Sequence, residues 1–358
     1  MIIIANVKII YEGKDITRDI SPFLTAFTFT DNSGSKADDI SLTLQDKDSL
    51  WLNEWTPSKA DTISADIISD NVTLHCGEFH VDQIDYSLPP HTITIKAVSV
   101  SVSGKARYEK HNKAWENITL SQIANDIANS NSLTLFYDAQ DYDIERREQI
   151  HMADLPFIES LCSSFGLNVK VSDGKLIVYS ESDYESHDSV STITPESHGL
   201  LSARFTSKSA KIFRKARVKY HHPVKNETYE AEYEDENEEG SEEDLEIYTH
   251  VDSQAQAESV AKESLAKNNS KEITANITMT GSPDFLAGTN ITLSGFGMFS
   301  GKYSAETVTH NLSSGWTVSL SLKMGGSSKS SAKKHKAKSA KKILPSGGEI
   351  LADDSLGY

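Results

Sequence analysis

Cysteine is almost absent: only Cys76 and Cys162 occur in 358 residues, too few for a disulfide framework in a chain this long. Both are expected to be free and buried, in a protein made in a reducing cytoplasm. Positive charge is also short, with 35 Lys and Arg against 52 Asp and Glu and a net charge of −17. Such a body does not grip duplex DNA by phosphate neutralisation, which needs clustered cations to displace counterions. No apolar run reaches 18 residues, which argues against a membrane-spanning helix. The opening MIIIANVKII has no basic stretch and no small-residue cleavage site, and reads as a first strand instead of a signal peptide. Motifs that carry chemistry are missing as well. There is no Walker A loop, Gly-x-Ser-x-Gly elbow, His-Glu-x-x-His helix or Cys-x-x-Cys pair.

What is present is strand periodicity, interrupted by helices. Ile40, Leu42 and Leu44 alternate with polar residues, as do Phe27 and Phe29, while Glu12-Gly13 and Pro89-Pro90 supply turns. Residues 1–103 therefore read as a small antiparallel β-barrel-like domain. From about 115 the period changes. Leu120, Ile123, Ala124, Ile127 and Ala128 form one helical stripe, opened by a Thr119/Gln122 capping box. A second helix is expected from Asp154 as N-cap, with Phe157, Leu161 and Phe165 on one face and Gly166 at its end. A hairpin follows through Ser172-Asp173-Gly174, making 104–195 an α+β segment. Trp115, at the junction before the first helix, reads as a core anchor.

Alternation returns at Ala216, Val218 and Tyr220, at Ile273, Ala275, Ile277 and Met279, and at Trp316, Val318, Leu320 and Leu322. Residues 196–324 read as a second barrel-like domain holding one helix, about 253–267, capped by Ser253 and Gln256. The overall class is α+β, mainly β: two barrel-like domains flanking an α+β domain. The stretch 325–358 is rich in Gly, Ser and Lys (Lys329, Lys333, Lys334, Lys336, Lys338, Lys341, Lys342) and is expected to be a flexible tail. It reads as a linker in preference to a nucleic-acid contact, and Ile343 to Tyr358 could form a docking peptide.

Candidate site residues are few. His75, Cys76 and His80 form the best metal-like cluster, yet neighbours on a strand point to opposite faces and no second cluster completes a site. His221-His222, beside Pro223, reads as a solvated turn. Neither a metal nor a cofactor is expected. The acids are concentrated in Glu227, Glu230, Glu232, Glu234, Asp235, Glu236, Glu238, Glu239, Glu242, Glu243, Asp244 and Glu246, with no base among them. A block of like charge extends, so 227–246 is expected to be an acidic loop between strands. Its sharper reading is a channel lining that a polyanion passes without sticking.

The segment GEFHVDQIDYSLPPHTITIKAVSVS, followed by KAWENITLSQIANDIANSNSL, resembles the late control protein D family of contractile-tailed phages. The matching positions are Pro89, Pro90, Thr92 to Ala97, Trp115, Thr119, Leu120, Ile123 and Ala124. DLPFIESLCSSFGLNVKVSDGKLIV continues the likeness through Asp154, Phe157, Leu161, Gly166 and Gly174. The resemblance implies a structural, non-enzymatic baseplate hub. Such a hub is a homotrimer whose two barrel-like domains per subunit adapt a six-fold tail tube to a three-fold central spike. Its partners would be the tube protein, the spike and the baseplate wedge, with DNA only as passing cargo. Its place would be the virion tail, assembled in the host cytoplasm. A tail-associated cell-wall hydrolase is the alternative, since two suitably placed carboxylates suffice for glycoside hydrolysis.

Overall fold

The alternating residues become alternating burial. In a computed structural model, Ile40, Leu42 and Leu44 lie inside while Ser41 and Thr43 stay half exposed, along a strand spanning Asp39–Gln45. The model describes residues 5–325 except 35, 48, 70–71, 100–103, 173, 181–186, 223–225 and 236–242. The expected Lys-rich tail and docking peptide lie outside the described residues, as do Glu236, Glu238, Glu239 and Glu242. No helix among the described residues is long and apolar enough to cross a membrane.

The fold is mainly β. Eleven strands follow one another in a single path: Leu200–Ser207, Ile273–Thr280, Trp316–Met324, Gly301–Leu312, Leu24–Asn32, Asp39–Gln45, Thr92–Val98, Val72–Ser87, Thr62–Ser69, Asn6–Tyr11 and Lys14–Asp15. Ser189–Ile193 and Asn290–Leu293 complete the sheet beside this path. The described pairings do not close it. Two barrel-like domains were expected; the N-terminal and C-terminal strand sets are joined in one sheet. They join at a seam, where Leu24–Asn32 pairs antiparallel with Gly301–Leu312 from Phe27↔Leu312 to Asn32↔Thr307.

The seam is dry. Phe27 is fully buried, Phe29 stacks on His310 with ring centroids 5.8 Å apart, and Trp316 leans against the same imidazole. Trp316 Nε1–H donates to His310 Nδ1 at 3.3 Å, which leaves Nε2–H to donate to the Phe285 carbonyl at 3.1 Å. Burial pushes the His310 imidazole down to about 4, so the ring is neutral in the folded protein.

Two chain excursions leave this sheet and share a second apolar core. The first, after Thr92–Val98, carries the helices Leu120–Ser130 and Asp154–Ser164 and the hairpin Asn168–Ser172/Lys175–Tyr179. The second leaves after Ser207 and returns at Ile273, pinched shut where Lys208 N–H donates to the Glu272 carbonyl at 2.8 Å. It holds the strands Lys215–His222, Glu227–Glu234 and Leu245–Ile247 and the helix Gln254–Asn269. Ala257, Val260, Ala261 and Leu265 of that helix pack in one cluster with Leu120, Ile123, Ile158 and Leu161. The helix expected around 253–267 thus packs with the α+β segment, although the chain places it between C-terminal strands. Tyr142 binds the two excursions together, its hydroxyl 2.8 Å from Ser259 Oγ and its ring stacked on Phe165.

Local signals are mostly realised. The Thr119/Gln122 capping box is complete, with bonds of 3.3 and 3.1 Å. Trp115 is buried and stacks on Phe157 at 5.0 Å. Two caps differ from expectation. Asp154 is the first helical residue and Ala153 the cap; the Asp154 carboxylate instead accepts from Asn131 and Gln149, satisfying two neighbouring amides. At Ser253 the side chain caps Gln256 N–H, but the Gln256 amide oxygen reaches one residue further back, to Asp252 N–H.

Gly166 ends its helix at φ +75°, and a β-carbon there would lie 2.3 Å from Glu263 Cβ on the helix of the second excursion. Gly13 has the same φ with open space around it. Gly13→Ala is expected to cost about 1–2 kcal/mol for the left-handed backbone. Gly166→Ala is expected to cost a further 1–3 kcal/mol or so for overpacking between the excursions. Urea unfolding of both variants measures the difference.

Candidate functional site

Part of the acidic run is strand: among the described residues Glu227–Glu234 and Leu245–Ile247 are, while Asp235, Glu243 and Asp244 lie between strands. Glu227–Glu234 is a strand antiparallel to Lys215–His222, with Lys215↔Glu234, Arg217↔Glu232 and Lys219↔Glu230 in register, and Leu245–Ile247 lies parallel on the other side. The reason is in the spacing. Glu230, Glu232 and Glu234 alternate with Ala231 and Tyr233, which face the apolar core, so the acids fall on one face opposite the bases of the neighbouring strand.

Arg217 sits at the centre of that face. Its guanidinium donates to Glu232 Oε1 at 2.8 Å and approaches Asp244 at 3.3 Å and Glu246 at 3.7 Å. Lys215 also reaches Glu232, while Arg214 pairs with Glu234 and Lys219 with Glu230. Hydrogen bonds from Lys215 and then Arg217 hold Glu232 below the usual carboxylate range. Among the described members of the run, Glu227, Asp235 and Glu243 complete the set. On this face five acids, Glu230, Glu232, Glu234, Asp244 and Glu246, pair with four bases, Arg214, Lys215, Arg217 and Lys219, an excess of one negative charge. Sequence reasoning missed the bases, although their alternation at 215, 217 and 219 mirrors that of the acids.

A second constellation joins all three parts of the chain. Lys170, on the hairpin of the first excursion, places Nζ 2.7 Å from Asp31 Oδ1 and 3.4 Å from Asp38 Oδ1. Asp31 Oδ2 accepts from Ala287 N–H of the C-terminal segment at 2.8 Å. Asp38 accepts from Asn32 N–H at 2.8 Å and from Ser172 Oγ at 3.1 Å, and Thr307 Oγ1 lies 3.0 Å from Asn32 Oδ1. The Tyr179 hydroxyl donates to the Ser33 carbonyl beside it. Burial pushes the Asp38 carboxyl up to about 6, against the opposing pull of Lys170 and with Asp31 adding to the rise.

Nothing in the HCGEFH segment converges. His75 Nδ1 lies 2.8 Å from Asp66 Oδ1 on an exposed face, Cys76 is buried, and His80 Nδ1 lies 3.4 Å from the Ala60 carbonyl. Burial raises both thiols, Cys162 to about 12, so neither is a poised nucleophile at neutral pH. His221-His222 is not a solvated turn. Both residues continue the strand, and its period of two leaves His221 outside and buries His222. A cleft of about 470 Å³ opens beside Trp51, Trp55, Ile16 and Leu44. At its edge Tyr11 donates to Asp61, and burial with that bond pushes the phenol up to about 12, far from a working general base.

Lys170→Met leaves two buried carboxylates facing each other and is expected to destabilise by about 3–5 kcal/mol. Asp38→Asn in that background is expected to restore part of the loss. Asp38 also sets a pH signature. Its folded value lies above its unfolded one, so its contribution is full below pH 4 or so and is lost as pH rises through about 6. The stability advantage of the natural chain over Asp38→Asn is therefore expected to grow on acidification between those limits, by roughly 2 kcal/mol. Urea midpoints across that range check it.

No family model matches the chain. A protein of Escherichia phage 186 named "Probable baseplate hub protein" is 27% identical over 179 residues, covering 46% of this chain and 42% of that protein. Its namesake in Escherichia phage P2 is 29% identical over 169 residues, covering 46% and 43%. The match thus spans under half the length of these curated relatives. Among solved structures, the tail protein from Neisseria meningitidis MC58 superimposes with a TM-score of 0.68 at 14% identity, over 92% of this chain and 99% of that one. In sequence the chain is similar to two phage proteins named as probable baseplate hub proteins, and in fold it is similar to the Neisseria tail protein.

Proposed function

We propose that the protein is a structural, non-enzymatic hub of a phage tail baseplate or a related contractile injection device, working as a homotrimer. The observation that carries this reading is the seam. One chain presents two sets of strands, N-terminal and C-terminal, held in a fixed relation by main-chain hydrogen bonds. Three such chains offer six strand sets, which is what an adaptor between a six-fold tube and a three-fold spike requires. In this reading the two sets act as tube-like units toward the tail tube protein, the spike occupies the three-fold end, and wedge components are further partners. The protein then resides in the virion tail after assembly in the host cytoplasm. The net negative charge left on the strand face around Arg217, with the rest of the acidic run, keeps DNA passing through a lumen from adhering, by like-charge repulsion that salt would screen.

Light scattering of the purified chain is expected to give a mass near three times 39.4 kDa, with rings showing a central hole in negative-stain images of the same peak. A monomer that stays monomeric when mixed with tube and spike proteins overturns the proposal. The hydrolase alternative is decided separately: clearing of purified peptidoglycan, lost on one Asp or Glu substitution, would establish it.

A further inference from the structure

His222, buried at the end of its strand, faces two residues from the connection into the helix Gln254–Asn269. The ligand-capable atoms of His222, His250 and Asp252 all lie within 4.8 Å of one another. His250 Nδ1 is 3.4 Å from Asp252 Oδ1. That spacing is the edge of a tetrahedron around zinc, whose bonds of about 2.1 Å set ligand atoms roughly 3.4 Å apart. We propose that His222, His250 and Asp252 form a three-ligand site for zinc or a similar divalent transition ion, with water in the fourth position.

The surrounding groups are arranged as supports. Glu145, on the strand Asp143–Met152, places Oε2 3.5 Å from His222 Nε2, the position of a carboxylate that orients a ligating imidazole from its far side. Arg147 on the same strand approaches the other Asp252 oxygen, Oδ2, at 3.5 Å, and its Nη2 donates to the His250 carbonyl at 3.2 Å. It thereby holds the carboxylate with Oδ1 turned toward His250. Arg147 also brings a positive charge close to the ion, a repulsion that favours a site with a carboxylate ligand over one built from neutral groups alone. Two imidazoles and one carboxylate suit zinc better than magnesium or calcium, which prefer all-oxygen shells. The Tyr220 ring, 4.6 Å from that of His250, closes one side. An ion here would tie the end of Lys215–His222 to the start of the helix.

The full chain, stripped with chelator and re-equilibrated with zinc chloride, is expected to keep one zinc per chain after desalting, counted by plasma mass spectrometry. Cobalt(II) in its place is expected to show the visible absorption of a tetrahedral nitrogen–oxygen site. His250→Gln, at a position 38% exposed, is expected to abolish stoichiometric zinc, while His75→Gln on the large sheet keeps it. Glu145→Gln leaves all three ligands and is expected to weaken zinc about 10- to 100-fold. Circular dichroism reports whether each variant is folded. Less than one zinc per natural chain, or undiminished zinc in folded His250→Gln, overturns the proposal. If His250→Gln fails to fold, unchanged affinity in Glu145→Gln overturns it instead.

Discussion

The pairing of Leu24–Asn32 with Gly301–Leu312 is the constraint on which the rest of the molecule depends. It closes a loop of more than two hundred residues, so its cost in chain entropy is met only because the strands on both sides bury a continuous apolar face. Phe27, Phe29, Val308, Leu312 and Trp316 all lie inside that face. His310 is a buried polar residue among them, tolerated because both ring nitrogens have partners and the ring stays neutral. Once the seam exists, strands at either end of the chain belong to one sheet, and the excursions between them must dock where that sheet leaves room.

Lys170 shows how docking is specified. Its pairing with Asp31 and Asp38 contributes little net stability against an apolar replacement of similar size, since three charged groups lose their water. Its value is directional. An apolar contact would permit the hairpin to slide on the sheet, whereas a cation between two carboxylates, each bonded to further backbone donors, accepts one position. The junction fixes the relation between the sheet and the α+β body at the meeting point of three segments.

The acidic run illustrates how charge and fold act on one another. Twelve acids in a row of twenty residues would repel one another as an isolated loop. With Glu227–Glu234 laid as a strand against Lys215, Arg217 and Lys219, part of that repulsion becomes cross-strand attraction, and Ala231 and Tyr233 face the core. The five acids and four bases of this face leave it one negative charge in excess.

Much of the local structure was legible in the sequence because it depends on neighbours a few residues away. The period-2 strands, the Thr119/Gln122 box, the turns at Gly13 and Gly174, the end at Gly166 and the core role of Trp115 are all decided by backbone sterics and side-chain spacing. The likeness to baseplate hubs was legible for the same reason, being an ordered series of such local signals. What only the tertiary structure decided is how distant segments meet. The seam, the sharing of one core by residues 120–178 and 216–265, the Lys170 junction and the approach of His222 to His250 and Asp252 join positions far apart in the chain. Strand alternation states that a face will be buried but not against what, and the partner is chosen by the packing of the whole chain.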